Sequence, residues 1–144
     1  MKVFVVYCHP SENSFTYKVY RQFLKGLASA GHEVVVSDLY KMNFRTDISE
    51  EEYLREIYYR ADESVPEDVA AEQEKIQSSD AIVFIYPVFW TEAPETVMLG
   101  DRIRERAKQK EMVILDGITN WNEEKKCRLM PEHLKKAYEL GVSF

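Results

Sequence analysis

Lys2-Val3-Phe4-Val5-Val6-Tyr7-Cys8-His9-Pro10-Ser11-Glu12-Asn13-Ser14-Phe15-Thr16 holds the change of period from which the fold can be read. Val3 to Tyr7 is an unbroken apolar run of β-branched and aromatic residues, as a strand covered on both faces requires, and Cys8-His9-Pro10 ends it. From Ser14 onward Phe15, Val19, Phe23 and Leu27 recur every four residues, with Tyr20 and Leu24 beside them, and Gly31 supplies the stop of an amphipathic helix. Glu33 to Ser37 reads as a second buried strand, so residues 3–37 form a right-handed β-α-β unit.

The alternation continues outward. Ser49-x-x-Glu52 has capping-box form ahead of a short helix with Tyr53, Leu54, Ile57 and Tyr58. Pro66 stands at the first position of another helix, with Val69, Gln73 and Ile76 on one face, ended by Ser78-Ser79-Asp80. Ala81 to Tyr86 is a third buried strand, followed by a proline-bracketed aromatic loop, Pro87 to Pro94. A helix with Val97, Met98, Ile103 and Ala107 leads to a fourth strand, Met112 to Leu115. Pro131 opens a last helix, with Leu134, Ala137 and Tyr138 inward and Gly141 closing it. The pattern is α/β: one domain over residues 1–144, built as a doubly wound parallel sheet.

Composition narrows the partners. A net charge of -6 over 144 residues, with a pI near 5.2, argues against a nucleic-acid or anionic-membrane surface. Cys8 and Cys127 have neither metal-like nor C-x-x-C spacing, so a disulfide framework or zinc site is not expected, and a reducing cytoplasm fits. The start, Lys2 to Val6, is too short for a signal-peptide core, and no apolar run reaches membrane-spanning length.

Ligands of such sheets sit beyond the carboxyl ends of the strands at the point where strand order reverses, which selects His9 to Thr16 and Pro87 to Ala93. The first loop places Ser11, Asn13, Ser14 and Thr16 around a helix N-terminus suited to phosphate, although Ser14 serves equally as a plain N-cap. His9 either donates to a phosphate or caps local backbone. Phe89 and Trp90 offer flat faces for a planar ligand, or pack in a core or dimer interface. Three other chemistries fail on the same strand ends. The position six after Cys8, where a cysteine phosphatase needs arginine, is Ser14; the acids of a receiver domain are replaced by Tyr7-Cys8-His9; and no glycine precedes Gly26. Cys8 reads as a small buried filler, while His32 and His133 read as solvated surface residues. The three histidines are widely separated and lack acidic partners at ligand spacing, so no metal site is expected.

At these loops the chain resembles the flavodoxin-like NAD(P)H:quinone oxidoreductases, a family that includes modulator-of-drug-activity proteins and ancillary subunits of potassium efflux systems. His9 to Thr16 is similar to the family's first loop, Ser37 to Phe44 to its post-strand segment, and Asp68 to Pro94 to its helix, strand and aromatic loop. The resemblance implies a flavin, usually FAD with FMN the alternative, whose phosphates meet His9, Ser14, Phe15 and Thr16 and whose ring rests on Pro87, Val88, Phe89 and Trp90. It implies ping-pong chemistry, with NAD(P)H as electron donor and a quinone or similar acceptor. The family's helix-strand-glycine loop block after the aromatic loop is missing here. A sheet of about four strands, in order 2-1-3-4, is therefore expected, with no catalytic side chain assigned. An exposed sheet edge in a shortened member favours a homodimer. A binding or regulatory subunit for an efflux system is the second reading, and a one-electron FMN carrier the third.

Overall fold

The computed structural model describes residues 1–60, 64–88 and 123–144. Strand β1 spans Lys2–Tyr7, helix α1 Phe15–Ser29, strand β2 Glu33–Asp38, helix α2 Glu50–Ile57, helix α3 Glu67–Gln77, strand β3 Ala81–Ile85 and helix α4 Glu123–Ser143. The three strands are parallel in the order β2-β1-β3, with Tyr7 opposite Asp38 on one side and Ile85 on the other. This agrees with the expected 2-1-3 order. The fourth strand, Met112 to Leu115, and the helix before it lie outside the described residues.

β1 is central, and its side chains are buried on both faces because helices cover both. Val3, Val5 and Tyr7 join Tyr20, Phe23 and Leu27 of α1, with Leu140 of α4 against them. Phe4, Val6 and Cys8 form the core of the opposite face with Leu39, and Ile76 of α3 packs there. Cys8 is buried, as expected of a small apolar filler. Period two in the strand and near four in α1 thus converge on one layer of apolar contact.

Three readings of the last helix need correction. Pro131 does not open the last helix but lies inside α4, which begins eight residues earlier at Glu123. Proline forgoes one backbone hydrogen bond in a helix interior, and here packing of the long helix against α1 outweighs that loss. Gly141 does not end α4 either: it sits in the helix where α4 crosses Gly26 of α1, and a Cβ on Gly141 would run into the Phe23 carbonyl oxygen. Tyr138 is half-exposed at the rim, donating its hydroxyl to Ser29 Oγ at 3.1 Å, while Ala137 points inward.

On α3, Pro66 is the N-cap rather than the first helical residue, and Gln73 faces outward. The inward face runs through Val69, Glu72 and Ile76, because Glu72 accepts a hydrogen bond from the buried Ser37 hydroxyl at 2.6 Å. Lys75 Nζ donates to the same hydroxyl at 2.9 Å and to Glu72 at 2.5 Å. This polar clasp fixes α3 on the edge strand. The Ser49–Glu52 capping box of α2 forms as read, with both reciprocal bonds present.

Candidate functional site

The order of the parallel strands reverses between β1 and β3: β1 leads through α1 to β2 on one side, while β3 is added on the other. Cys8 N–H donates to the Ile85 carbonyl at 3.1 Å, so the segments leaving β1 and β3 start side by side. The described part of the second segment is Tyr86, Pro87 and Val88, with Pro87 half-buried and Val88 exposed. Phe89 and Trp90, the expected stacking pair, lie outside the described residues.

The first loop is laced by its own hydrogen bonds. Ser11 N–H donates to His9 Nδ1 at 3.0 Å, Asn13 N–H to Ser11 Oγ at 3.2 Å, and Ser14 N–H to the Ser11 carbonyl at 3.3 Å. A backbone N–H can only donate, so Nδ1 is the acceptor and the neutral ring keeps its proton on Nε2 as a donor. Local backbone thus sets the tautomer of the half-buried His9. Ser14 is the N-cap of α1, with extended backbone, and its Oγ accepts from Tyr17 N–H at 3.0 Å. That bond and the one from Lys18 N–H to the Ser14 carbonyl leave the Phe15 and Thr16 N–H groups with no protein acceptor among the described residues. The first turn of α1 has no acidic residue, so the positive end of the helix is not neutralised from within. Such an end suits an anion.

Beneath this loop lies Tyr7. Its ring stacks on Tyr20, with centroids 4.3 Å apart and planes at 20°, and meets Tyr17 edge-on at 6.1 Å. Burial, reinforced by Asp38, Tyr17 and Tyr20 and opposed by Ser14, pushes its phenol up to about 12. The hydroxyl is buried, and although Ser14 is its polar neighbour, the two do not meet hydrogen-bond geometry; it has no partner among the described residues. A phosphate-bearing ligand fits this set: a cap hydroxyl, unspent N–H groups, a donor imidazole and an orphaned buried hydroxyl beneath them.

His133 was missed as a neighbour of this site. It is half-buried on α4 with its ring edge-on to Phe15, centroids 6.1 Å apart, not solvated as expected. Only the pairing of α1 with α4 across more than a hundred residues brings it there, and no local pattern signals that. His32 is also half-buried, 3.4 Å from the N-terminal ammonium. A groove of about 260 Å³ lined by Val36, Ser37, Asp38, Lys41, Met42 and Lys75 lies at β2, across β1 from the junction, and is separate from this site.

Residues 1–98 match the family model described as flavodoxin-like fold, and the chain belongs to that family. Among solved structures it is similar to the NAD(P)H:quinone oxidoreductase from Methanothermobacter marburgensis, with 31% identity and a TM-score of 0.86 over 99% of this chain and 95% of that one. It is 32% identical over 106 residues to NAD(P)H dehydrogenase [quinone] 1 of Rattus norvegicus, covering 65% of this chain and 39% of that protein. It is 31% identical over 108 residues to the ribosyldihydronicotinamide dehydrogenase-like protein traD of Penicillium crustosum, covering 65% of this chain and 40% of that protein. The chain therefore spans about two fifths of the length of these two relatives, but nearly all of the Methanothermobacter marburgensis structure's.

Proposed function

We propose that the chain binds a flavin at the β1/β3 junction and transfers electrons from NAD(P)H to a quinone or similar acceptor. The observation that carries this reading is the N-terminus of α1, where the Phe15 and Thr16 N–H groups have no protein acceptor among the described residues, Ser14 caps the helix, and the loop before it holds His9 through Nδ1. In this reading His9, Ser14, Phe15 and Thr16 hold the phosphates, and Pro87, Val88, Phe89 and Trp90 carry the ring. The pocket atoms of the first loop serve FAD and FMN alike; FAD is the cofactor we favour. When bound, the flavin supplies hydride chemistry that no side chain has. The chain's own contribution is to orient it, with a phosphate grip at the start of α1 and with Pro87, whose φ is fixed, at the exit from β3.

The names of the similar proteins support the choice of donor and acceptor: the relatives above are called quinone oxidoreductase, quinone dehydrogenase and ribosyldihydronicotinamide dehydrogenase-like protein, not efflux subunits. Neither Cys8 nor Cys127 is held in a disulfide, which suits a cytoplasmic setting. We also infer a homodimer, because Tyr40, Met42, Tyr53, Ile57, Tyr58 and Tyr59 are exposed on one stretch of chain.

The test is titration of the purified 16.9 kDa chain with FAD and FMN followed by flavin fluorescence, then addition of NADPH and a quinone. Saturable binding, bleaching of the flavin by NADPH and recovery on adding the quinone are expected. Binding without bleaching leaves a flavin-holding subunit, the reading that the chain's coverage of about two fifths of its relatives keeps in play. No binding of either flavin refutes both.

A further inference from the structure

Beside the phosphate site proposed above, on which this inference rests, the Tyr7 hydroxyl is a buried donor that the described structure does not use. Tyr7 is 1% exposed, and its oxygen, with the N-cap Ser14 as its polar neighbour, has no hydrogen-bond partner among the described residues. A buried hydroxyl without a partner is costly, and native proteins retain few of them. Phenylalanine would give the same stack on Tyr20 and the same edge contact with Tyr17 without that cost. The hydroxyl therefore calls for a role beyond packing.

Ser14 supplies the route to one. A serine hydroxyl has one hydrogen and two acceptor lone pairs. Tyr17 N–H fills one lone pair at 3.0 Å. When the hydroxyl turns its hydrogen outward to an anion at the helix N-terminus, its second lone pair needs a donor from below, and Tyr7 is the buried hydroxyl adjoining it there. We propose that Tyr7 is a positioning residue of the phosphate site: its hydroxyl donates to Ser14 Oγ when Ser14 donates to a bound phosphate oxygen. It does not touch the ligand. The chain of donors, Tyr7 to Ser14 to phosphate, polarises each bond in the same sense and strengthens the outermost one. Burial also keeps the phenol protonated through the working pH range, so it is present as a donor and not as a phenolate that would repel the phosphate.

The experiment compares wild type, Y7F, S14A and the double variant, with FAD, FMN, riboflavin and inorganic pyrophosphate as ligands, by calorimetry or fluorescence. Y7F is expected to weaken FAD, FMN and pyrophosphate about five- to tenfold, the worth of one hydrogen bond, to leave riboflavin unchanged, and not to lower the melting temperature of the flavin-free protein. In the S14A background Y7F should cost nothing further, since the effect runs through Ser14. Unchanged FAD and FMN binding in Y7F overturns the proposal, as does equal weakening of riboflavin, which marks a packing role, or full additivity with S14A. Wild type that binds no flavin refutes the proposed function instead. Pyrophosphate then decides the present inference: weaker binding in Y7F upholds it, and unchanged or absent binding overturns it.

Discussion

Tyr7 and Ser14 show how much a single residue carries at this strand end. Both side chains meet where β1 hands the chain to α1, one under the helix terminus and one capping it. The raised Tyr7 pKa has a consequence for stability that can be checked. The phenol holds its proton more tightly in the folded chain than in the unfolded one, so its contribution is complete below about pH 10 and is lost as pH rises toward about 12. Urea midpoints measured across that window should fall with pH in wild type and fall less steeply in Y7F, with Tyr20, also raised by burial, accounting for part of the remaining slope. The Ser14 cap was legible in the sequence as a residue type in the right place. Whether its hydroxyl also had a buried neighbour was not, because Tyr7 and Ser14 are seven positions apart and only the turn between strand and helix brings them together.

At the scale of elements, α1 is the clearest case of sequence dictating structure: its period, its cap and Gly31, whose φ of 75° suits glycine, all point to one helix. α4 is the counterexample. Proline and glycine usually mark helix ends, yet Pro131 and Gly141 both sit inside it. Gly141 is there because the backbones of α1 and α4 come too close for any side chain, with Gly26 facing it from α1. Gly141→Ala should therefore destabilise the fold by about 1–3 kcal/mol, the usual cost of forcing extra atoms into a packed contact. That sign is opposite to the gain expected from replacing glycine in an exposed helix, and urea denaturation distinguishes the two.

For the whole molecule, the two faces of the sheet depend on elements far apart in sequence. α1 alone does not close the first face; Ala137 and Leu140 of α4 complete it. Removing residues 123–144 should therefore expose the outer side of α1 around Phe23 and Leu27. The expected result is loss of a cooperative thermal transition and binding of a hydrophobic dye such as ANS, whereas a cooperative melt close to that of the intact chain would show that α4 is dispensable.

The three described strands, α1, the α2 capping box and the turn from β1 into α1 followed from the sequence alone, because each rests on contacts within a few residues: apolar period, caps and turn formers. So did the family, whose first loop and aromatic loop are contiguous motifs, and residues 1–98 match its model. The tertiary structure decided what depends on distant partners: the uninterrupted course of α4, the Gly26–Gly141 crossing, the Ser37–Glu72–Lys75 clasp, and the placement of His133 beside Phe15. Local sequence reports on the energy a segment gains from its own neighbours. It is silent on the packing energy that lets a helix run through proline and glycine when another helix is there to receive it.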